Sequence, residues 1–226
     1  MSLWVKICGN TTLEDARLAA EAGADAVGFV FAASLRRVTA EQVAKIVPHL
    51  PVKLERIGVF VDAGFDEIAA TIRACGLTGV QIHSEGEAEL PARLRSEFGP
   101  GLRILRVVHF GEKAAEMASV LVRDSNVDAV LVDSRTATAV GGTGIAFDWD
   151  RARDTIFQHA EERKLIAAGG LNPENVAEAI AILRPWGVDV VSGVEAAPGV
   201  KDAGKVRAFV ANARAACGAT ANAGTL

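Results

Sequence analysis

The chain has no apolar run long enough to cross a membrane. Its longest stay under ten residues, against the roughly 20 of a spanning helix. No amino-terminal stretch has the basic, apolar and small-residue order of a secretory signal, so the expectation is a cytoplasmic protein with no membrane partner. Cysteine is scarce. Cys8, Cys75 and Cys217 lie far apart, without the CxxC spacing of a zinc or redox site, and an odd, sparse set predicts reduced thiols. No H-x-H or HExxH pattern accompanies the histidines, so no metal is expected. Positive charge is not in excess either. A net charge of -4 and a pI near 5.6 argue against nucleic acid as a partner, because nucleic-acid binding leaves a basic footprint. Any anionic ligand has to be held by local features.

What the chain does have is alternation. Short apolar runs at 3–8, 25–31, 55–61, 79–83, 102–108, 128–133, 163–168 and 188–192 are each followed by an amphipathic segment. Thr11 with Glu14, and Thr39 with Gln42, have capping-box spacing. Gly23 sits where the first helix would end, Asn172 and Pro173 read as an N-cap and first helical residue, and further helices are expected from 85 and 148 and over 201–214. Near-continuous Val/Ile/Leu runs separated by helices indicate parallel strands covered on both faces. Eight such units in 226 residues fit an α/β, single-domain (β/α)8 TIM barrel better than a doubly wound sheet. The barrel is expected over 1–214, and residues 215–226, which lack large apolar side chains, are expected to form a disordered tail.

Active sites of such barrels lie at the C-terminal ends of the strands. The polar groups there are Cys8, Asp62, His83, His109, Asp133, Gly169 with Gly170, and Ser192 with Gly193. Each alone is also explained as a turn or cap residue. The glycine loops after the seventh and eighth runs are candidates for phosphate, which backbone N–H groups and a helix start can hold. A third glycine group, GGTG at 141–144, makes closure of the 134–146 loop over a ligand plausible. Strand alternation puts Trp4, Lys6 and Cys8 on one face, inside the barrel. An ammonium beside a thiol would bring its reference pKa of about 8.5 toward neutrality and make Cys8 usable as a base. Asp133, ending VLVD, points the same way as Leu131 and is a candidate general acid. Nothing local decides among an acid, a ligand or a hydrogen-bonded residue for His83.

The segments KICGNTTLEDA, DAVGFVFAASLRRV, GVFVD, GVQIHSE, VLVDS, GGTGIAFDW, AGGLNPENV and VDVVSGVEAAPGVKD, in this order from about residue 4 to 214, resemble the phosphoribosylanthranilate isomerase family of tryptophan biosynthesis. The resemblance implies an Amadori rearrangement of a small phosphorylated substrate without a cofactor, with Cys8 as general base and Asp133 as general acid. It implies that an arginine of S-x-R-x-hydrophobic meets the anthranilate carboxylate. Arg36 matches that arginine, and Arg37 remains its rival because FAASLRRV is one residue short. It also implies that Asp189 contacts the ribose and that His83 lines the pocket, while Gly169, Gly170, Ser192 and Gly193 remain the phosphate candidates read from the loops themselves. Ser84 stands where the family usually has glycine. Assembly is left open between monomer and homodimer.

Overall fold

The computed structural model describes residues 3–83, 88–134, 148–159 and 164–223. Eight parallel strands close into a barrel in sequence order: β1 (Trp4–Ile7), β2 (Ala26–Val30), β3 (Glu55–Val61), β4 (Gly79–His83), β5 (Arg103–His109), β6 (Ala129–Asp133), β7 (Leu165–Ala168) and β8 (Gly187–Val190). The helices that return the chain are α1 (Leu13–Glu21), α2 (Ala40–Ile46), α3 (Phe65–Cys75), α4 (Leu90–Phe98), α5 (Ala114–Leu121), α6 (Trp149–Thr155), α7 (Val176–Leu183) and α8 (Ala203–Ala223). Closure is made by β1 against β8, with Lys6 opposite Asp189 and Ile7 opposite Val190. The single-domain (β/α)8 TIM barrel is thus the fold of the chain.

Side-chain alternation sorts the strands into two cores. Val5, Ile7, Val27, Phe29, Val188 and Val190 face outward and pack with helix residues such as Ala16, Val43 and Ile68. Trp4, Ala26, Ile57, Leu105, Leu131 and Ile166 fill the barrel. Both faces are therefore dry, which is why the strands read as almost continuous apolar runs. At the N-terminal end Trp4 stacks on Trp186 with ring centroids 5.4 Å apart.

Several boundaries differ from expectation. Strand β1 ends at Ile7, so Cys8 is the first residue beyond it, although its N–H still continues the ladder to Val190 O at 2.9 Å. The fourth helix starts at Leu90 rather than 85. Residue 85, Ser84 and the 141–144 glycines lie outside the described residues, as do positions 135–146 of the loop. Helix α8 runs to Ala223, past the position where a disordered tail was expected from 215. Its last turns are rich in alanine, the strongest helix former, and need no large apolar side chain to stay helical. A short antiparallel hairpin, β9 (Glu195–Ala197) and β10 (Val200–Lys201), follows β8 and was not foreseen.

Candidate active site

The C-terminal mouth of the barrel is built from strand ends. Gly9, at φ 73°, turns the chain away after Cys8, a backbone conformation that favours glycine. Asn10 is fully buried and donates Nδ2 to Ile7 O at 2.8 Å and Gly28 O at 3.1 Å, fastening this turn to β2. Cys8 itself is 3% exposed. The space it occupies is provided by Gly28, where an added Cβ would lie 2.4 Å from Sγ of Cys8 and 3.0 Å from Cε of Lys6.

Lys6 points into the barrel as expected but is not free to act on the thiol alone. Its Nζ donates to Asp189 Oδ1 at 2.9 Å and to Gln81 Oε1 at 2.7 Å. Burial disfavours the ammonium, yet Asp189, helped by Cys8, outweighs it and holds the Lys6 pKa above its ordinary value. For Cys8 the balance runs the other way. Burial pushes the thiol above its ordinary value, Lys6 opposes this, and the Asp189 carboxylate cancels part of that help. The expectation that Lys6 brings Cys8 toward neutrality is therefore corrected: the lysine is committed to a carboxylate, and desolvation of the thiolate wins.

Around the rim, Gln81 Nε2 meets His83 Nε2 at 2.8 Å. The His83 ring lies 5.9 Å from that of His109. His109 is in register with Asp133, and its buried Nδ1 has no hydrogen-bond partner among the described residues. Asp133 is 2% exposed. The loop after β7 is folded against it: a Cβ on Gly169 would sit 2.5 Å from Asp133 Oδ1 and 2.1 Å from Ser134 Oγ. Gly169 and Gly170 have φ of 80° and 68°, the left-handed region that admits glycine readily. Asn172 and Asn175 lock this loop reciprocally, and Asn175 Nδ2 donates to Gly170 O at 2.9 Å. Gly193, after Ser192, packs so closely that a Cβ would fall 1.9 Å from Leu171 O. The two glycine loops thus form one surface.

Arg36 and Arg37 separate cleanly in space. Arg37 is exposed. The Arg36 side chain is 13% exposed, and its Cδ would lie 2.9 Å from a Cβ on Gly9. It forms a bidentate pair with Glu195, Nε to Oε1 at 2.8 Å and Nη2 to Oε2 at 2.7 Å. Lys201 Nζ reaches the same Oε1 at 3.3 Å and Val191 O at 3.2 Å. Burial alone would raise the Glu195 carboxyl; the Arg36 hydrogen bonds, with Lys201, outweigh it and hold it below the usual carboxylate range.

The strand-end rule brought out Cys8, His83, Asp133 and both glycine loops, and the family resemblance added Asp189 and Arg36; neither singled out Gln81, Gly28, Glu195 or Lys201. Gln81 was within reach, since it lies two residues before His83 on the same strand face. Glu195 and Lys201 carry no local signal. Among the described residues no group of three or more His, Cys, Asp or Glu side chains could hold a metal, and no helix is long and apolar enough to cross a membrane.

Comparison with known proteins identifies the family and the fold. Residues 5–212 match the family model described as N-(5'phosphoribosyl)anthranilate (PRA) isomerase. The N-(5'-phosphoribosyl)anthranilate isomerase of Geobacter sp. (strain M21) is 44% identical over 211 residues, covering 93% of this chain and 97% of that protein. The crystal structure of phosphoribosyl anthranilate isomerase from Thermotoga maritima is similar at a TM-score of 0.80 and 37% identity, covering 94% of this chain and 99% of that one. A further isomerase structure, in complex with reduced 1-(o-carboxyphenylamino)-1-deoxyribulose 5-phosphate, is similar at a TM-score of 0.77 and 36% identity, with the same coverage.

Proposed function

The chain belongs to the N-(5'-phosphoribosyl)anthranilate isomerase family, and from that premise we propose how its own residues carry the reaction. It is an isomerase of tryptophan biosynthesis that converts N-(5-phosphoribosyl)anthranilate to 1-(2-carboxyphenylamino)-1-deoxyribulose 5-phosphate. The carboxyl of Asp133 gives its proton to the furanose ring oxygen. The bond from that oxygen to C1' breaks, its electron pair stays on oxygen, and the anilino nitrogen lone pair forms the C1'=N iminium. The Cys8 thiolate then removes the C2' proton, and the resulting enolamine tautomerises, C1' gaining a proton as the C2' hydroxyl becomes the ketone. One acid and one base suffice, and no cofactor is invoked.

The observation that supports this assignment is the collection of Cys8 and Asp133 at the same end of the barrel, with Gly169 packed against the Asp133 carboxylate. Gly169, Gly170, Ser192 and Gly193 are assigned to the substrate phosphate, Asp189 and His83 to the ribose side of the pocket, and Arg36 to the anthranilate carboxylate, which a guanidinium recognises with parallel hydrogen bonds. Arg36 is preferred over Arg37 because it turns toward the mouth while Arg37 faces solvent. A cytoplasmic location and a monomeric or homodimeric state belong to the same proposal.

The test is loss of substrate fluorescence when anthranilate, phosphoribosyl pyrophosphate and its transferase are incubated with the protein. Cys8→Ala and Asp133→Asn are each expected to lower kcat by about 10²- to 10⁴-fold while changing KM far less. Near-normal turnover in either variant removes that residue from the mechanism.

A further inference from the structure

Cys8 has charged neighbours from several elements, and they fall into two groups of different net charge. Lys6 on β1 and Asp189 on β8 are an ion pair at 2.9 Å with no net charge, in which Asp189 offsets part of the Lys6 effect at the thiol. The second group joins three side chains that are distant in sequence: Arg36 after β2, Glu195 on β9 and Lys201 on β10. Two cations share the Glu195 carboxylate; the Lys205 ammonium also donates to Glu195 O at 2.9 Å and the Asp15 carboxylate accepts from Lys201 N at 3.2 Å, so these two added charges offset each other and one net positive charge remains. The Glu195 side chain is 4% exposed and that of Lys201 fully buried, so solvent screens this charge little. Its position is tied to the backbone on either side of Cys8 and its strand partner. Lys201 Nζ donates to Val191 O, one residue beyond the carbonyl of Val190 that accepts from Cys8 N, and Arg36 Cδ lies against Gly9. Strand β2 offers no charge on this side, only Gly28.

We propose that Lys201 is a positioning residue for the base: with Arg36 and Glu195 it adds a positive charge that supports the Cys8 thiolate beside Lys6, whose own charge Asp189 partly offsets. The proposal deepens the isomerase mechanism above and rests on Cys8 acting as its base. Glu195 has two effects in it. It orients Arg36 through both hydrogen bonds, leaving the outer edge of the guanidinium for the substrate carboxylate, and it limits the positive charge to a single unit. Burial holds the Lys201 ammonium below its ordinary value, with Glu195 and then Cys8 opposing this, and at the thiol Lys201 acts in the lowering direction after burial, Lys6 and Asp189.

The charge count makes opposite predictions for two variants of the same cluster. Lys201→Met leaves the cluster neutral, and the ionisation midpoint of Cys8 should rise by about one pH unit; Glu195→Gln leaves a second positive charge, and the midpoint should fall by a similar amount. Lys201→Arg keeps the charge and should leave the midpoint near that of the parent. The readout is thiolate ultraviolet absorbance of the free protein against pH, with Cys8→Ser as the background for Cys75 and Cys217. The chain contains no tyrosine, so no phenolate ionisation overlaps the signal. Shifts of the same sign in Lys201→Met and Glu195→Gln, or no shift in either, overturn the proposal. If Lys201→Met does not fold, a fall in Glu195→Gln supports the proposal, and its absence rejects it. Because no substrate is present, the titration is independent of turnover. A parent chain without isomerase activity would reject the reaction while leaving the charge assignment standing.

Discussion

Gly28 shows how much of the site depends on a missing side chain. Its φ is not in the left-handed region, so the requirement is for space: a methyl group there would overlap the Cys8 sulfur at 2.4 Å and crowd Lys6. Gly28→Ala is expected to displace the thiol and lower kcat about tenfold or more, with a stability loss of about 1–3 kcal/mol from overpacking. Steady-state kinetics beside a thermal melt would check it, and a wild-type kcat would show that the thiol has room the geometry denies. Nothing in DAVGFVF distinguishes this glycine from any other strand glycine, because the atom that excludes a Cβ comes from Cys8, just beyond the end of β1. His83 and Asp133, by contrast, were legible at the residue scale, since a polar group ending an apolar strand has to emerge at the barrel mouth.

At the scale of elements, caps separate local from distant control. Helix α2 has the capping box read from Thr39 and Gln42: Gln42 N donates to Thr39 Oγ1 at 3.3 Å and Thr39 N to Gln42 Oε1 at 2.8 Å. Thr39→Ala should cost about 1 kcal/mol of stability, measured by denaturant unfolding, and leave turnover unchanged. Helix α1 was read the same way from Thr11 and Glu14, but its cap is Thr12, which accepts from Asp15 N. Thr11 is occupied elsewhere, its Oγ1 donating to Gly199 O at 2.7 Å. Lys201 N donates to Asp15 Oδ1 at 3.2 Å, a second tie between α1 and the β9–β10 hairpin. The spacing rule held where both partners were local and slipped by one residue where a distant carbonyl competed for a hydroxyl.

At the scale of the molecule, the barrel is closed by its first and last elements. Arg214 on α8 donates to the Leu3 carbonyl, to Gly23 O at 2.8 Å and to Asp25 Oδ2 at 2.8 Å, and the same carboxylate oxygen accepts from Val5 N at 2.7 Å. These groups lie at the N-terminal ends of β1 and β2, opposite the mouth. Arg214→Ala should lower stability by about 1–2 kcal/mol, the range for hydrogen bonds to charged groups, and reduce Tm by a few degrees. Turnover at a temperature where the variant stays folded should equal that of the parent. A drop in kcat would mean that closure at the base controls the geometry at the mouth.

The sequence by itself determined the eight units, their parallel order and the direction of each strand side chain, because backbone geometry sets those periods within a few residues. From them followed the end of the barrel where Cys8, Asp133 and the glycine loops had to gather. Only the tertiary structure decided the charge balance at the thiol. Lys6 is two residues from Cys8, yet its partner Asp189 is 183 residues from it, and Arg36 finds Glu195 across 159 residues. Coulombic interactions depend on separations and burial that exist only after β1 meets β8 and the hairpin folds over them. The nearest charge in sequence is therefore partly offset by one that only the fold brings to it.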